Sequence, residues 1–155
     1  MTVYLVRHGK AGERNAWKDD DVLRPLSGRG HVQARGLVDV LDGAQFDRVL
    51  SSPYVRCMET VVPLAGLRGV AIEPVDALAE GAPLGDSVAL VRKHAVNGAV
   101  FCTHGDVIPM LLEHYATHGV DVGPSPQWPK GSTWVLETDN TGEVIASRYL
   151  PPPPD

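Results

Sequence analysis

An α/β fold, a three-layer αβα sandwich around a mostly parallel central sheet, is predicted by three observations. Short apolar runs rich in β-branched residues alternate along the chain with segments whose apolar residues recur at helical spacing. The 155 residues suffice for one domain that buries most of its unfolded apolar surface. Hydrophobic residues make up 43% and charged residues 21%, near the soluble globular average and far from the profile of a disordered chain. Strands that alternate with helices are joined by right-handed crossovers, which leaves the strands parallel and both faces of the sheet covered.

The first strand, residues 2–6, is carried by VYLV and ends at Arg7-His8-Gly9. AGERNAWKDDDVLRPL is polar and irregular, and Arg24-Pro25 disfavours helix at Arg24. Ser27 starts a helix in which Ala34, Leu37, Val38 and Leu41 form one apolar stripe, and Gly43 stops it. FDRVLSS is the second strand. In SSPYVRCMET, Ser52 has the character of an N-cap and Pro53 that of a first helical residue, for a helix running to about Ala65. GVAIEP is a short third strand, and DALAEGAPLGD holds too many breakers for regular structure. Asp86 or Ser87 caps the next helix, whose buried side is Val88, Leu90, Val91 and Ala95; Gly98 then precedes the strand AVFCT at 99–103. His104-Gly105-Asp106 opens a helix with Val107, Met110 and Leu111 inward, and 119–131 is a long mobile loop near the mouth. STWVLE and EVIASRYL flank DNTG as an antiparallel hairpin. One domain is expected over 1–150, with PPPPD at 151–155 a disordered tail.

Several function classes are disfavoured. A net charge of −5 argues against nonspecific nucleic-acid binding. No stretch approaches the ~18 apolar residues that span a bilayer, and the N-terminus lacks the pattern of a secretory leader, so a cytoplasmic location without a membrane partner is expected. Cys57 and Cys102 are too few for a disulfide framework and are expected as small buried hydrophobes. The charge is unevenly spread: residues 1–35 carry seven Lys and Arg against four Asp and Glu, the remainder seven against fifteen. Cations therefore gather around VRHGKAG, which suggests a local anion site on an acidic protein.

In a parallel sheet the carboxyl ends of the strands share one edge. Arg7 and His8 lie at that edge, as do Ser51 and Ser52 with Arg56 one turn into the following helix, then Thr103, His104 and Gly105, with Glu80 in the loop after the third strand. Gly9 lets the backbone turn closely around a ligand. Two guanidinium forks suit bidentate contact with phosphate oxygens. A histidine between them has its charged form disfavoured by repulsion and stays neutral near pH 7, able to attack phosphorus. Arg7, Arg56 and His104 would stabilise the charge that develops, and Glu80 would protonate the leaving oxygen and then deprotonate water. Lys10, Arg14 and Arg24 extend a cationic rim toward a second phosphate or an acidic partner. No metal or other cofactor is expected: the six histidines form no HExxH pattern and the two cysteines no CxxC.

Arg7-His8-Gly9, SSPYVRCMET with Arg56, and THGDVI with His104 together resemble the histidine phosphatase superfamily, also called the phosphoglycerate-mutase-like fold. RPLSGRG is similar to the small SixA-type phosphohistidine phosphatases. RHGKAGERNAWKDDDVLRPL, SSPYVRCMETVVPLA, THGDVIPMLL and KGSTWVL resemble more closely the C-terminal phosphatase domain of actinobacterial proteins that fuse a Nudix hydrolase to such a domain. The resemblance implies a phosphatase working through a phosphohistidine at His8, with His8, Glu80 and His104 catalytic and Arg7, Arg56, Gly9, Lys10 and Arg24 binding substrate. Only 23 residues separate Arg56 from Glu80, so no large helical lid insertion is expected and the site should be open, with Asp86 or a water as substitutes for Glu80 as proton donor. A phosphorylated protein or a small-molecule phosphate is the expected partner. The alternatives are a nucleotide or small-molecule phosphatase and a noncatalytic phosphoryl-binding module.

Overall fold

A computed structural model describes residues 1–155. The strands are β1 (Thr2–Arg7), β2 (Arg48–Ser51), β3 (Ile72–Pro74), β4 (Ala99–Thr103), β5 (Thr133–Thr138) and β6 (Val144–Leu150). The helices are α1 (Gly28–Val40), α2 (Val55–Arg68), α3 (Leu84–His94) and α4 (Val107–Thr117). The six strands form one sheet in the order β3-β2-β4-β1-β5-β6, in which β3, β2, β4 and β1 are mutually parallel and the β5–β6 hairpin adds an antiparallel margin. This is the expected three-layer sandwich.

Side chains alternate across the sheet, and the core divides accordingly. Val6, Val49, Val100 and Cys102 face α1 and α2, meeting Leu37, Leu41, Val61 and Leu64. Val3, Leu5, Leu50, Phe101 and Leu136 face the other way, onto Val91 of α3 and Ile108, Leu111 and Leu112 of α4. β1 and β4 are buried on both faces, which fixes their mutual register from Val3 opposite Ala99 to Arg7 opposite Thr103.

Helix boundaries depart from expectation in physically readable ways. Ser27 caps α1 as foreseen, its hydroxyl accepting from the Gly30 amide at 3.2 Å. Ser52 does not cap α2. Its own amide still continues the sheet by donating to the Cys102 carbonyl, so the helix starts only at Val55. α2 passes through Pro63 and ends at Gly69, which is left-handed with φ 68°; Arg68 anchors the last turn by donating to the carbonyls of Leu41 and Ala44. α3 begins at Leu84 after Pro83, ahead of the expected Asp86 or Ser87, and the Ser87 hydroxyl donates instead to Ala77.

Two segments expected to be loose are held. In 119–131, the Trp134 indole donates to Gln127, the Arg7 guanidinium to Trp128 and the Gln33 amide to Lys130, while Gly131 N donates back to Arg7 and His8. At the Pro-rich end, Pro153 is buried against Gly36 of α1 and Asp155 pairs with Lys10.

Gly30 makes the tightest glycine contact, since a Cβ there would lie 1.9 Å from the Lys10 carbonyl oxygen, whereas a Cβ at Gly28 meets nothing. Gly30→Ala is therefore expected to cost about 2–3 kcal/mol in urea unfolding, and Gly28→Ala to be neutral or to stabilise by up to about 1 kcal/mol. Equal effects would show that α1 does not pack against the turn after β1.

Candidate active site

The register of β1 on β4 places the residues that follow each strand side by side. The last rung is the His8 amide, which donates to the Thr103 carbonyl at 3.1 Å, and the rings of His8 and His104 then meet edge to face with centroids 5.4 Å apart. β2 contributes in the same manner: Ser52 ends beside His104, and Arg56 projects from the first turn of α2 into the same cleft. The cleft encloses about 490 Å³ and is lined by 13 residues, of which one is hydrophobic. Its charged groups are Arg7, Arg14, Arg24, Arg56 and Lys130 against Glu13, Glu80 and Asp106.

His8 is 5% exposed, and its Nδ1 lies 2.8 Å from the Gly9 carbonyl. A carbonyl only accepts, so Nδ1 carries the hydrogen and the lone pair resides on Nε2. The imidazolium is strongly disfavoured, with the pKa pushed down to about 3, chiefly by burial and then by His104, Arg56 and Arg7. Repulsion from the arginines, the expected cause, is thus secondary to desolvation.

His104 Nε2 lies 2.8 Å from the Ser52 hydroxyl and 3.5 Å from Cys57 Sγ. Ser52 Oγ already accepts from the Tyr54 amide, so its hydrogen is available to Nε2, and the thiol is also a donor. Two donors around Nε2 favour the tautomer with hydrogen on Nδ1. That Nδ1 is buried without a hydrogen-bond partner in the chain, as are Nε of Arg7 and Nε of Arg56. These three unsatisfied nitrogens all belong to cleft residues. A tetrahedral oxyanion supplies the acceptors they lack.

Asp21 holds the second arginine. Arg56 is 1% exposed and donates to the Asp21 carbonyl at 2.9 Å and to its carboxylate at 3.1 Å; Arg24 Nε donates to the same carboxylate at 2.9 Å. Burial opposes ionisation of Asp21, but the bonds from Arg24 and Arg56 outweigh it and keep its pKa below the ordinary value. Gly105 makes room for the other guanidinium, because a Cβ there would sit 2.6 Å from Arg7 Nη2.

The expected site residues therefore divide. Arg7, His8, Arg24, Arg56, Glu80 and His104 line one cleft. Glu80 sits at its rim, 3.2 Å from Arg14 and 3.9 Å from Arg56. Gly9 and Lys10 do not line it. The Gly9 amide is taken by Thr60, whose hydroxyl also donates to the Arg56 carbonyl, and a Cβ at Gly9 would press on Gly30 O at 3.1 Å. Lys10 turns to Asp155. None of the three tryptophans lines the cleft. Sequence reasoning missed Asp21, Tyr54, whose ring packs against His104 at 4.6 Å and carries the Arg56 guanidinium at 4.9 Å, and Lys130.

Residues 3–83 match the model of the histidine phosphatase superfamily, branch 1, a span that covers more than half of the chain and both arginine motifs. The chain belongs to the histidine phosphatase superfamily. In structure, the superfamily member resembles protein histidine phosphatase SixA complexed with tungstate, with a TM-score of 0.76 at 19% identity over 99% of this chain and 97% of that one. A mycobacterial glucosyl-3-phosphoglycerate phosphatase complexed with VO3 superposes with a TM-score of 0.71 at 17% identity, covering 96% of each chain. At those identities the likeness is one of fold. In sequence, an 8-oxo-(d)GTP phosphatase of Mycolicibacterium smegmatis is 38% identical over 158 residues. That match takes in 98% of this chain but 48% of the relative, so the chain spans about half the length of that protein. No helix of this family member is long and apolar enough to cross a membrane.

Two outcomes are expected of the site as built. The folded pKa of His8 lies below its unfolded value of about 6.5, so the unfolded chain gains a proton that the folded chain refuses, and stability falls as pH drops from about 6.5 toward 3. The stability of His8→Gln relative to wild type should therefore rise across that interval in urea titrations at each pH; a pH-independent difference would show that the ring is not held neutral. Asp21→Asn should raise KM for phosphate monoesters by about tenfold with a smaller change in kcat, because Arg56 loses its anchor; unchanged kinetics would remove Asp21 from any positioning role.

Proposed function

We propose that this chain is a metal-independent phosphatase that transfers a phosphoryl group from its substrate to Nε2 of His8 and then to water. The observation that carries the reading is the disposition of nitrogen atoms in the cleft: a buried imidazole with its lone pair on Nε2, beside three N–H groups that lack acceptors. In the first step the P–N bond to His8 forms while the P–O bond to the leaving group breaks. Arg7, Arg56 and His104 stabilise the equatorial oxygens, and the carboxylic acid of Glu80 gives its proton to the leaving oxygen. In the second step water attacks phosphorus, Glu80 takes the water proton, the P–N bond breaks and phosphate is released. The guanidinium groups supply the positive charge that a metal ion provides elsewhere. Glu80 rather than Asp86 is assigned the proton because Glu80 lines the cleft and Asp86 lies in the first turn of α3, outside it.

The open, polar cleft suits a phosphoryl group presented on a larger molecule, and the relatives named for protein phosphohistidine and for a nucleotide bracket the choice of substrate. Phosphate release from an aryl phosphate in excess chelator should fall by at least about 1,000-fold in His8→Ala. Release that survives the substitution would defeat the covalent mechanism, and phosphate binding without turnover in the wild type would leave only a binding module. Glu80→Gln should slow an alkyl phosphate more than a phosphohistidine peptide, whose imidazole leaves more readily; equal slowing of both would remove Glu80 as leaving-group acid.

A further inference from the structure

Among the five cations of the cleft, Arg14 pairs with Glu80, and Arg24 and Arg56 share Asp21. Arg7 lies beside His8 with its guanidinium on the Trp128 carbonyl. Lys130 alone makes no side-chain hydrogen bond and no ion pair. Yet its backbone is fixed: the Gln33 amide donates to the Lys130 carbonyl at 3.1 Å, and Gly131, with φ 85°, directs its N–H to the carbonyls of Arg7 and His8. A side chain at Gly131 would collide with Gln33 at 2.9 Å. The chain thus holds an unpaired ammonium at the edge of a cleft already rich in arginine, where partial desolvation and the charges of Arg7 and Arg24 work against protonation. An anion bound among these cations would relieve their mutual repulsion.

The anion held by Arg7, Arg56 and His104 does not account for Lys130. Arg56 and His104 are buried and Arg7 is half-buried, whereas Lys130 is exposed at the rim of the cleft. The cleft, at about 490 Å³ with one hydrophobic lining residue, has room for a ligand well beyond one phosphoryl group and offers almost no apolar surface to grip it. Resting on the phosphatase reading, we infer that Lys130 is a specificity residue that binds a second anionic group adjoining the transferred phosphoryl, so that the preferred substrates are small-molecule phosphoanhydrides, diphosphate esters above all. The ammonium suits the role as a mobile point charge, able to follow a bridging or terminal oxygen that rigid guanidinium forks at the floor cannot reach.

Phenyl diphosphate and phenyl phosphate separate the second anion from the first. Lys130→Gln is expected to lower kcat/KM for phenyl diphosphate by at least about tenfold while changing that for phenyl phosphate by less than about threefold. Lys130→Arg should restore most of the diphosphate rate. Inorganic pyrophosphate should inhibit phenyl phosphate turnover more strongly than inorganic phosphate in the wild type, and this preference should disappear in Lys130→Gln. Thermal melts of both variants identify any loss due to unfolding. An equal loss on the two esters, no loss on either, or a wild type that turns over phenyl phosphate and not phenyl diphosphate would overturn the inference while leaving the phosphatase reading intact. If the wild type turns over neither ester, the phosphatase reading falls and this inference with it.

Discussion

The parallel pairing of β1 with β4 is the constraint on which the site depends. Both strands are buried on two faces, and their aliphatic residues are sorted between two cores: Val3 and Leu5 under α3 and α4, Val6 under α1 and α2. A slip of one residue would send each of those side chains to the opposite face, and the cost of misplacing several buried aliphatics greatly exceeds any gain available at the strand ends. The register therefore follows from residues that never touch the cleft. Its consequence is felt one position beyond the last ladder pair, where His8 and His104 have no choice but to face one another.

What collects at that edge is electrostatically costly. Arg56 is almost wholly buried, and removing a guanidinium from water costs several kcal/mol unless its charge is met. Asp21 meets it with both a carboxylate and a backbone carbonyl and Glu80 lies 3.9 Å away, but the Asp21 carboxylate also serves Arg24 and Glu80 also pairs with Arg14, so two negative charges are divided among three positive ones. Arg7 has only a carbonyl dipole. Each compensation is incomplete, and the shortfall has the same sign and the same location as the three unsatisfied N–H groups. A bound anion would offset both deficits at once, and because the unfolded chain has no such site, binding would add to the stability of the fold.

The parts of this arrangement that were legible in the sequence are those with a local signature. Arg7-His8 and Thr103-His104 follow apolar runs of strand character, and Arg56 follows a strand-to-helix turn, so topology alone brought them together. The rest is written in contacts between irregular segments. Asp21 sits in a polar stretch whose three consecutive aspartates look alike; only the fold chooses the one that reaches Arg56 across 35 residues. Lys130 lies in a loop whose glycines and prolines signalled mobility, and its anchoring through Gln33 and Gly131 spans about a hundred residues without periodicity to betray it. Gly9 was assigned to the ligand when its neighbours are Gly30 and Thr60, because the sequence displays a glycine's freedom but not what presses against it. The capping errors arise from tertiary contacts: the Ser52 amide still continues the sheet while its hydroxyl meets His104, and the Ser87 hydroxyl donates to the Ala77 carbonyl.

The pinned loop also bears on how such a site selects among phosphates. Many enzymes enclose a substrate by closing a mobile segment, and the closure supplies part of the discrimination. Here the segment that brings Lys130 to the cleft is tied to β1 through Arg7 and His8 and to α1 through Gln33, so moving it would break its bonds to those residues. The walls are polar, and bulk water reaches them. With neither enclosure nor apolar surface available, recognition is left to the number and placement of fixed charges, which act at short range because solvent screens them beyond about 10 Å. On the phosphatase reading, a polar cleft of this kind would read the anionic end of a ligand and leave the remainder of the molecule largely outside.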